Sequence, residues 1–233
     1  MTTPAGLHDT VPTARRRAVI ATGTGRYADP WHPYTRTSPL LAEILEADGW
    51  DAVIDHDVDH ALAHLEGTDL LVVNAGDPWR DGGEKGSAAG ADEGLEAAIA
   101  RGIGIVAIHA ALSSLRDYPR WREAIGGEWD PSTSWHPEIS DFVLRTTDTH
   151  HPVTRGMPPV EVYDERYSDL VVDDGVRVLG VHDLDDVAHP VVWARETPTR
   201  AVVSALGHDE RTYASTSHRE LLRRAARWAA RID

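Results

Sequence analysis

Ile103-Gly104-Ile105-Val106-Ala107-Ile108-His109-Ala110-Ala111 is the stretch that decides the fold. Residues 103–108 are apolar and mostly β-branched, and the run is too short for a helix. It reads as a central strand of a parallel sheet, buried on both faces. A polar residue at the end of such a strand is expected on a sharp strand-to-helix turn, facing the crevice where open α/β sheets bind ligands. His109 holds that position. The two alanines after it permit close approach of a ligand or of helix backbone, and the N-terminus of the next helix favours an anion nearby.

Outward from this strand, the first half of the chain alternates strands and helices. Residues 18–22 and 70–74 read as strands, the first opening into Gly23-Thr-Gly-Arg26 and the second ending at Asn74-Ala-Gly-Asp77. Between them, residues 38–48 read as a helix with Ser38 as N-cap, Pro39 at the first helical position and Gly49 as terminator. Residues 50–55 read as a further strand. Residues 81–91, rich in Gly and Ala, are expected to form a mobile loop, and residues 93–101 a helix capped by Gly102. This alternation implies a parallel sheet with helices on both faces. The second half differs: 142–147, 160–167, 176–181, 190–195 and 201–206 all read as strands, before a last helix over 218–232. The expectation is one domain over 17–233, with a strand-rich C-terminal half, after a disordered tail over 1–16.

Composition narrows the function. With 38 Asp plus Glu against 23 Lys plus Arg, the formal net charge is −15. A nucleic-acid binder needs a basic face to displace counterions, and an anionic membrane would repel this chain. The absence of cysteine excludes disulfides, thiolate metal sites and a thiol nucleophile, so any metal must be held by His and carboxylate. The first residues are polar and lack an apolar signal core, and no apolar stretch approaches a membrane span. A cytoplasmic protein is expected.

Polar groups follow each predicted parallel strand: Arg26, His32 and Arg36; Asn74 and Asp77; His109; and His208-Asp209-Glu210. Strand ends of a parallel sheet share one edge, so these groups are expected to converge there. The alternative is that they are the ordinary polar loops of any α/β protein. His109 suits a general base, a metal ligand or a satisfied buried histidine. In the second loop, a histidine backed by a carboxylate is a usable base or ligand, so His208 and Glu210 join His109 as candidate catalytic groups. His136 lies in a Gly- and Trp-containing loop suited to lining a pocket with flat apolar faces. Asp164, Glu165 and Tyr167 alternate along a predicted strand, so some of them face the pocket or all lie on a solvated face. Arg26, His32, Asn74, Asp77, His136, Asp164, Glu165 and Asp209 form the candidate substrate-binding set. His150-His151-Pro152 reads as a turn. His56, His60 and His64 share helical spacing but lack the Glu of a zincin motif.

Taken together, these pieces resemble the ThuA-like (trehalose-utilisation) family. The carrying motifs are Gly23-Thr-Gly25, Leu40-Leu41-Ala-Glu-Ile-Leu45, Gly104-Ile-Val-Ala-Ile-His109-Ala-Ala111, Tyr118-Pro-Arg-Trp121 followed by Gly126-Gly127, and His151-Pro-Val-Thr-Arg-Gly156. They continue through Asp164-Glu165-Arg-Tyr167, Pro190-Val-Val-Trp-Ala-Arg-Glu196, Ala205-Leu-Gly-His-Asp209 and Arg227-Trp-Ala-Ala230. The resemblance implies the flavodoxin-like, three-layer α/β/α sandwich of class I glutamine amidotransferases, with a mostly parallel sheet. Those enzymes carry a nucleophilic cysteine on the elbow where this chain has His109, and a supporting His-x-Glu that His208-Asp209-Glu210 echoes. Amidotransferase activity is excluded here, since no thiol exists to attack glutamine. The resemblance further implies a small-molecule sugar substrate, supplied as a 3-keto-sugar by a partner sugar 3-dehydrogenase, and a pocket lined by His109, Asp164, Glu165, His208 and Asp209. One departure stands out: the Gly23-Thr-Gly-Arg-Tyr27 loop lacks the Phe-His pair that relatives carry after the glycines, leaving His32 as the substitute. Base-catalysed elimination and hydration of a glycosidic bond, isomerisation of a keto-sugar, and a non-catalytic sugar-binding or regulatory role are the readings left open. A divalent metal and a homo-oligomer are compatible with all of them.

Overall fold

The computed structural model describes residues 15–83 and 85–232. Its elements run β1 (Arg17–Thr22), α1 (Tyr34–Ala47), β2 (Asp51–Asp55), α2 (Val58–Ala63), β3 (Leu70–Asn74), α3 (Ala91–Arg101), β4 (Gly104–Ile108), α4 (Pro119–Ile125), β5 (Gly127–Glu128), β6 (Ser140–Thr146), β7 (Val160–Asp164), β8 (Val171–Val172), β9 (Arg177–Leu184), β10 (Val187–Arg195), β11 (Ala201–Ser204) and α5 (Thr216–Ala229). Nine strands form one sheet in the order β2-β1-β3-β4-β11-β10-β9-β6-β7, and β5 pairs with β8 in a small separate ribbon.

The apolar run that opens the sequence argument is the middle of this sheet. All five residues of β4 are buried, and β4 pairs in parallel with β3 on one side and β11 on the other. With β1 and β2, these strands make the parallel half. Beyond β11 the sheet continues antiparallel through β10, β9, β6 and β7. The β9–β10 hairpin turns at Asp185 and Asp186, whose φ angles of 50° and 62° suit the two-residue turn that matches strand twist. Helices α1 and α5 pack together on one face; α2, α3 and α4 pack in succession on the other. The arrangement is the expected α/β/α sandwich, mostly parallel in its core and strand-rich toward the C-terminus.

Local differences have tertiary causes. Helix α1 begins at Tyr34, so Ser38 is not its N-cap. Ser38 is buried inside the helix, where its Oγ accepts from the Thr22 hydroxyl at 2.7 Å and from Asn74 Nδ2 at 3.0 Å. That buried trio pins α1 to the ends of β1 and β3, and it outweighs the capping preference of serine. The strand expected over 160–167 stops at Asp164, which turns into the site. Helices α2 and α4, six and seven residues long, are too short to leave a helical period in the sequence. Asp57 caps α2 by accepting from His60 N–H at 3.0 Å. The loop over 81–91 is held at two described points: Gly86 N–H donates to Asp117 at 2.8 Å and Ala88 N–H to the Tyr118 hydroxyl at 3.1 Å. Most of the expected N-terminal tail lies outside the described residues. Among the described residues no helix is long and apolar enough to cross a membrane.

Helix α5 is capped by Ser215, whose Oγ accepts from His218 N–H at 3.2 Å. The His218 ring is fully buried, and burial pulls its pKa down to about 4 from the usual 6.5. A histidine held neutral in the fold but free to protonate when unfolded contributes stability above pH 6.5. That contribution is lost as the pH falls from 6.5 to about 4, because the unfolded chain then binds the extra proton. The shift corresponds to about 3 kcal/mol. His218→Leu is expected to flatten the fall in stability between pH 6.5 and 4 by about that amount, read from urea unfolding at stepped pH; an unchanged slope would remove His218 from the acid limb.

Candidate functional site

Four chain segments meet at the carboxyl edge of the parallel half: the β1–α1 connection with His32, the end of β4 with His109, the end of β7 with Glu165, and the end of β11 with His208. The facing nitrogens and the carboxylate oxygen of these four residues all lie within 4.8 Å of one another. His109 sits directly on the strand-to-helix turn at φ 48°, a left-handed conformation that non-glycine residues rarely adopt.

Two of the imidazoles are oriented from behind. His109 is 1% exposed, and its Nδ1 lies 2.8 Å from the Ala205 carbonyl. That carbonyl can only accept, so Nδ1 carries the proton and Nε2 presents a lone pair to the cluster. The Asp29 carboxylate fixes His32 in the same way, at 2.8 and 2.9 Å from its Nδ1. Asp29 is itself locked by the Trp31 and His32 backbone N–H groups at 2.9 and 2.8 Å and by the Tyr34 hydroxyl. Burial raises the Asp29 pKa, but the His32 and Tyr34 contacts overcome it and hold the carboxyl far below the usual range. Burial lowers the His32 pKa, and the Asp29 hydrogen bond only partly offsets this.

Asp164 joins the β7 and β11 loops. Its fully buried carboxylate accepts from the N–H groups of Gly207 at 2.7 Å, His208 at 3.3 Å and Glu165 at 2.7 Å, and from the Thr212 hydroxyl at 2.9 Å. Burial pushes its carboxyl up despite these donors and the nearby His109. The clamp delivers Glu165 Oε2 to 3.4 Å from both His109 Nε2 and His208 Nδ1. Burial alone would raise the Glu165 pKa; the two imidazoles reverse that and hold it well below the carboxylate range. For His109, burial disfavours protonation, but Glu165 and Asp164 outweigh it and move the pKa upward.

Two glycines make room for this geometry. A Cβ on Gly76 would lie 2.7 Å from both Asp29 Oδ2 and the Tyr34 hydroxyl. A Cβ on Gly207, at φ 133°, would lie 2.6 Å from Ile108 Cγ2 and 2.9 Å from the Tyr213 hydroxyl. Aromatic groups wall the site. Tyr167 stacks on His109 with ring centres 4.3 Å apart, and Trp129 packs on Tyr167 at 4.4 Å. His136 Nδ1 donates to the Pro137 carbonyl at 2.9 Å, and its Nε2 lies 3.7 Å from Glu165 Oε1.

The donor set fits a metal ion. His109 Nε2 and His32 Nε2 face each other at 3.1 Å, with Ala205 and Asp29 each holding the Nδ1 proton behind them. Two ring nitrogens so placed need a proton or a metal cation between them. The buried Nδ1 of His208, 3.4 Å from Glu165 Oε2, makes no hydrogen bond among the described residues. Contacts of 3.1 to 3.4 Å match the edge of a tetrahedron built on bonds of about 2.1 Å, which is about 3.4 Å. Imidazole with carboxylate suits a first-row divalent ion rather than Ca²⁺ or Mg²⁺.

Of the sequence candidates, His32, His109, Glu165 and His208 come together, with His136 beside them and Asp164 behind them. The others are engaged elsewhere. Asn74 is buried under α1, donating to Thr37 at 2.9 Å and to Ser38. Arg26 pairs with Asp59 and Asp117 at 3.0 and 2.9 Å. Asp77 pairs with Arg116 at 3.2 Å, Asp209 with Arg211, and Glu210 with Arg36 at 2.9 Å. Asp29 is the member that sequence reasoning missed. Its signal was the Asp29-x-x-His32 spacing, in which one carboxylate can cap a turn and reach the imidazole three residues on.

Comparisons with known proteins agree with this architecture. A ThuA-like protein of Parabacteroides merdae superposes with a TM-score of 0.77 at 19% identity, covering 93% of this chain and 90% of its own. One from Bacteroides uniformis gives 0.72 at 18% identity, covering 98% and 95%. A glutamine amidotransferase of Thermotoga maritima gives 0.54 at 11% identity, covering 94% and 99%. No curated protein matches the chain significantly. The family model described as "ThuA: Trehalose utilisation" matches residues 17–229, and the chain therefore belongs to the ThuA family.

Proposed function

We propose that this protein is a metal-dependent enzyme of sugar utilisation, acting on a keto-sugar at the His32–His109–Glu165–His208 centre. The observation that carries the metal is the pair of imidazole Nε2 atoms facing each other at 3.1 Å, with the orphaned His208 Nδ1 and the Glu165 carboxylate beside them. The family's description, trehalose utilisation, supports the substrate class.

A divalent ion held by His32, His109, Glu165 and His208 would supply Lewis-acid polarisation of a substrate carbonyl, making the adjacent C–H more acidic. Both sequence-level mechanisms share that first step. Its base is better assigned to His136 than to His109, because His109 spends both ring nitrogens on Ala205 and the cluster. His136 keeps Nδ1 on Pro137 and presents a partly exposed Nε2 beside Glu165. His136 Nε2 takes the C–H proton. It returns the proton to the neighbouring carbon in isomerisation, or to the glycosidic oxygen in elimination before hydration. Trp31 and Trp135, 63% and 41% exposed, immediately precede His32 and His136 in sequence. The Trp135 indole is held by Asp169 at 2.7 Å. Such fixed, exposed rings suit the C–H faces of a sugar. The keto group implies a preceding sugar 3-dehydrogenase.

Two measurements test the reading. Elemental analysis of the purified protein should find one first-row divalent ion per chain, absent from Glu165→Gln. Asp29→Asn and Gly76→Ala, which act on the carboxylate behind His32 without removing a cluster ligand, should weaken metal affinity ~10–100-fold. Protein that carries no such ion and takes up none on titration would sink the centre.

Turnover of 3-keto-trehalose and 3-keto-sucrose, followed by NMR, tests the chemistry. The native protein should convert at least one of them and lose activity to a chelator. His109→Ala should lose metal and activity together, while His136→Ala should keep the metal and lose ~10²–10⁴-fold in kcat. Full activity of His136→Ala would remove it as the base. A metal-loaded protein whose Tm rises with these sugars but which converts none would be a binding protein.

A further inference from the structure

The three histidines of the centre differ in what stands behind them. The Ala205 carbonyl takes the distal proton of His109 at 2.8 Å, and the Asp29 carboxylate takes that of His32 at 2.8 and 2.9 Å. His208 has no such group. Its ring is placed through the backbone: the His208 N–H donates to Asp164 at 3.3 Å, next to Gly207, whose N–H donates to the same carboxylate at 2.7 Å. The buried Nδ1 faces Glu165 Oε2 at 3.4 Å, so it is the nitrogen turned to the cluster. Nε2 makes no hydrogen bond or ion pair among the described residues, and it is not sealed off as Nδ1 is. The side chain is 13% exposed, against 1% for His109.

The carboxylates that follow His208 in sequence are engaged elsewhere. Both oxygens of Asp209 accept from Arg211 Nε at 3.0 Å, and Glu210 pairs with Arg36 at 2.9 Å. A histidine that binds a metal ordinarily gives its other N–H to a carboxylate, a carbonyl or water. With Nδ1 on a cation, the neutral imidazole carries its proton on Nε2. That N–H then points away from the cluster with no acceptor among the described residues. His32 and His109 cannot offer the same donor, because their distal protons are spent on Asp29 and Ala205. An oxygen held by His208 Nε2 lies across the imidazole from the cluster, out of reach of a carbonyl oxygen polarised there. It therefore belongs to another part of the substrate, which suits a polyhydroxylated ring and not a short ketone.

We infer that His208 has two roles: its Nδ1 completes the metal centre, and its Nε2–H is the specificity-determining donor to a substrate hydroxyl or glycosidic oxygen away from the keto group. This rests on the metal-dependent keto-sugar reading and adds the contact by which the centre tells a sugar from a smaller carbonyl compound. A site built to hydrogen-bond an oxygen rejects a ligand that lacks it, because the donor is then left unpaired.

Nitrogen NMR of the histidine rings in the full chain, loaded with Zn²⁺, tests this without relying on turnover. His32 and His109 should carry their protons on Nδ1 and His208 on Nε2, the His208 signals being those absent from His208→Asp. 3-Keto-trehalose or 3-keto-sucrose, bound as substrate or product, should shift the His208 Nε2–H signal. An Asp carboxylate falls where Nδ1 stood, so His208→Asp should still take up zinc while binding the sugar about tenfold more weakly. His208→Gln, which offers a distal N–H without the ligand, should lose zinc affinity instead. A proton on His208 Nδ1 in the zinc-loaded chain, a His208 signal unmoved by a bound sugar, or native sugar affinity in His208→Asp would each overturn the inference and leave the metal centre standing. Zinc uptake with no binding of either sugar would overturn it together with the keto-sugar reading, and a chain that takes up no zinc would sink the centre and this inference with it.

Discussion

The buried carboxylate of Asp164 is the interaction on which the candidate centre depends. Three backbone N–H groups and one hydroxyl converge on it, and they come from two loops that are distant in sequence. Backbone donors buried here would otherwise lack partners, at a cost of roughly 1–3 kcal/mol each. One carboxylate thus satisfies the ends of β7 and β11 together and fixes the separation of Glu165 from His208. The fully buried residues around it hold it in place: Gly207 with its left-handed φ, Tyr213 close against that glycine, and Thr212.

The other half of the centre is built by the same means. His109 is set by a strand carbonyl and a left-handed backbone, and His32 by a carboxylate that also caps its own loop. In each case the group behind the imidazole decides which nitrogen faces the cluster. Among the described residues, Glu165 is the one carboxylate inside the cluster. Its depressed pKa and the raised pKa of His109 have a common origin, a carboxylate among imidazoles with little water to screen them. A cation taken up between His109 and His32 would stabilise fold and centre together.

Much of the fold was legible in the sequence, because its central strands are continuous apolar runs of the kind only a doubly covered parallel sheet makes. The region around β4 and the end of β11 led directly to His109 and His208. What the sequence hid lay in tertiary geometry. Ser38 looked like a helix cap, but Thr22 and Asn74 claim it, and α1 starts a turn earlier. Asn74 looked like a site residue for the same reason, a polar group at a strand end, yet it is spent under α1. Glu210 looked like the carboxylate behind His208, but the loop turns it out to Arg36, and Glu165 from β7 takes that place. No local pattern shows which carboxylate of Asp164-Glu165 faces inward, because the strand stops between them and its alternation stops with it. Asp29 escaped notice because its role is to hold another residue.

The missing elbow cysteine follows the same logic. A left-handed residue at the end of the central strand projects its side chain into the crevice whatever its chemistry. A thiol there acts alone as a nucleophile and needs only a base beside it. An imidazole at the same point reaches further, has a second nitrogen to anchor, and gains most when other donors close around its free lone pair. The chain supplies them at the ends of β7 and β11 and from the loop before α1, and each has its own support behind it. His109 stands on a left-handed turn at the end of β4, and the donors gathered around it fit a cation better than an acyl group.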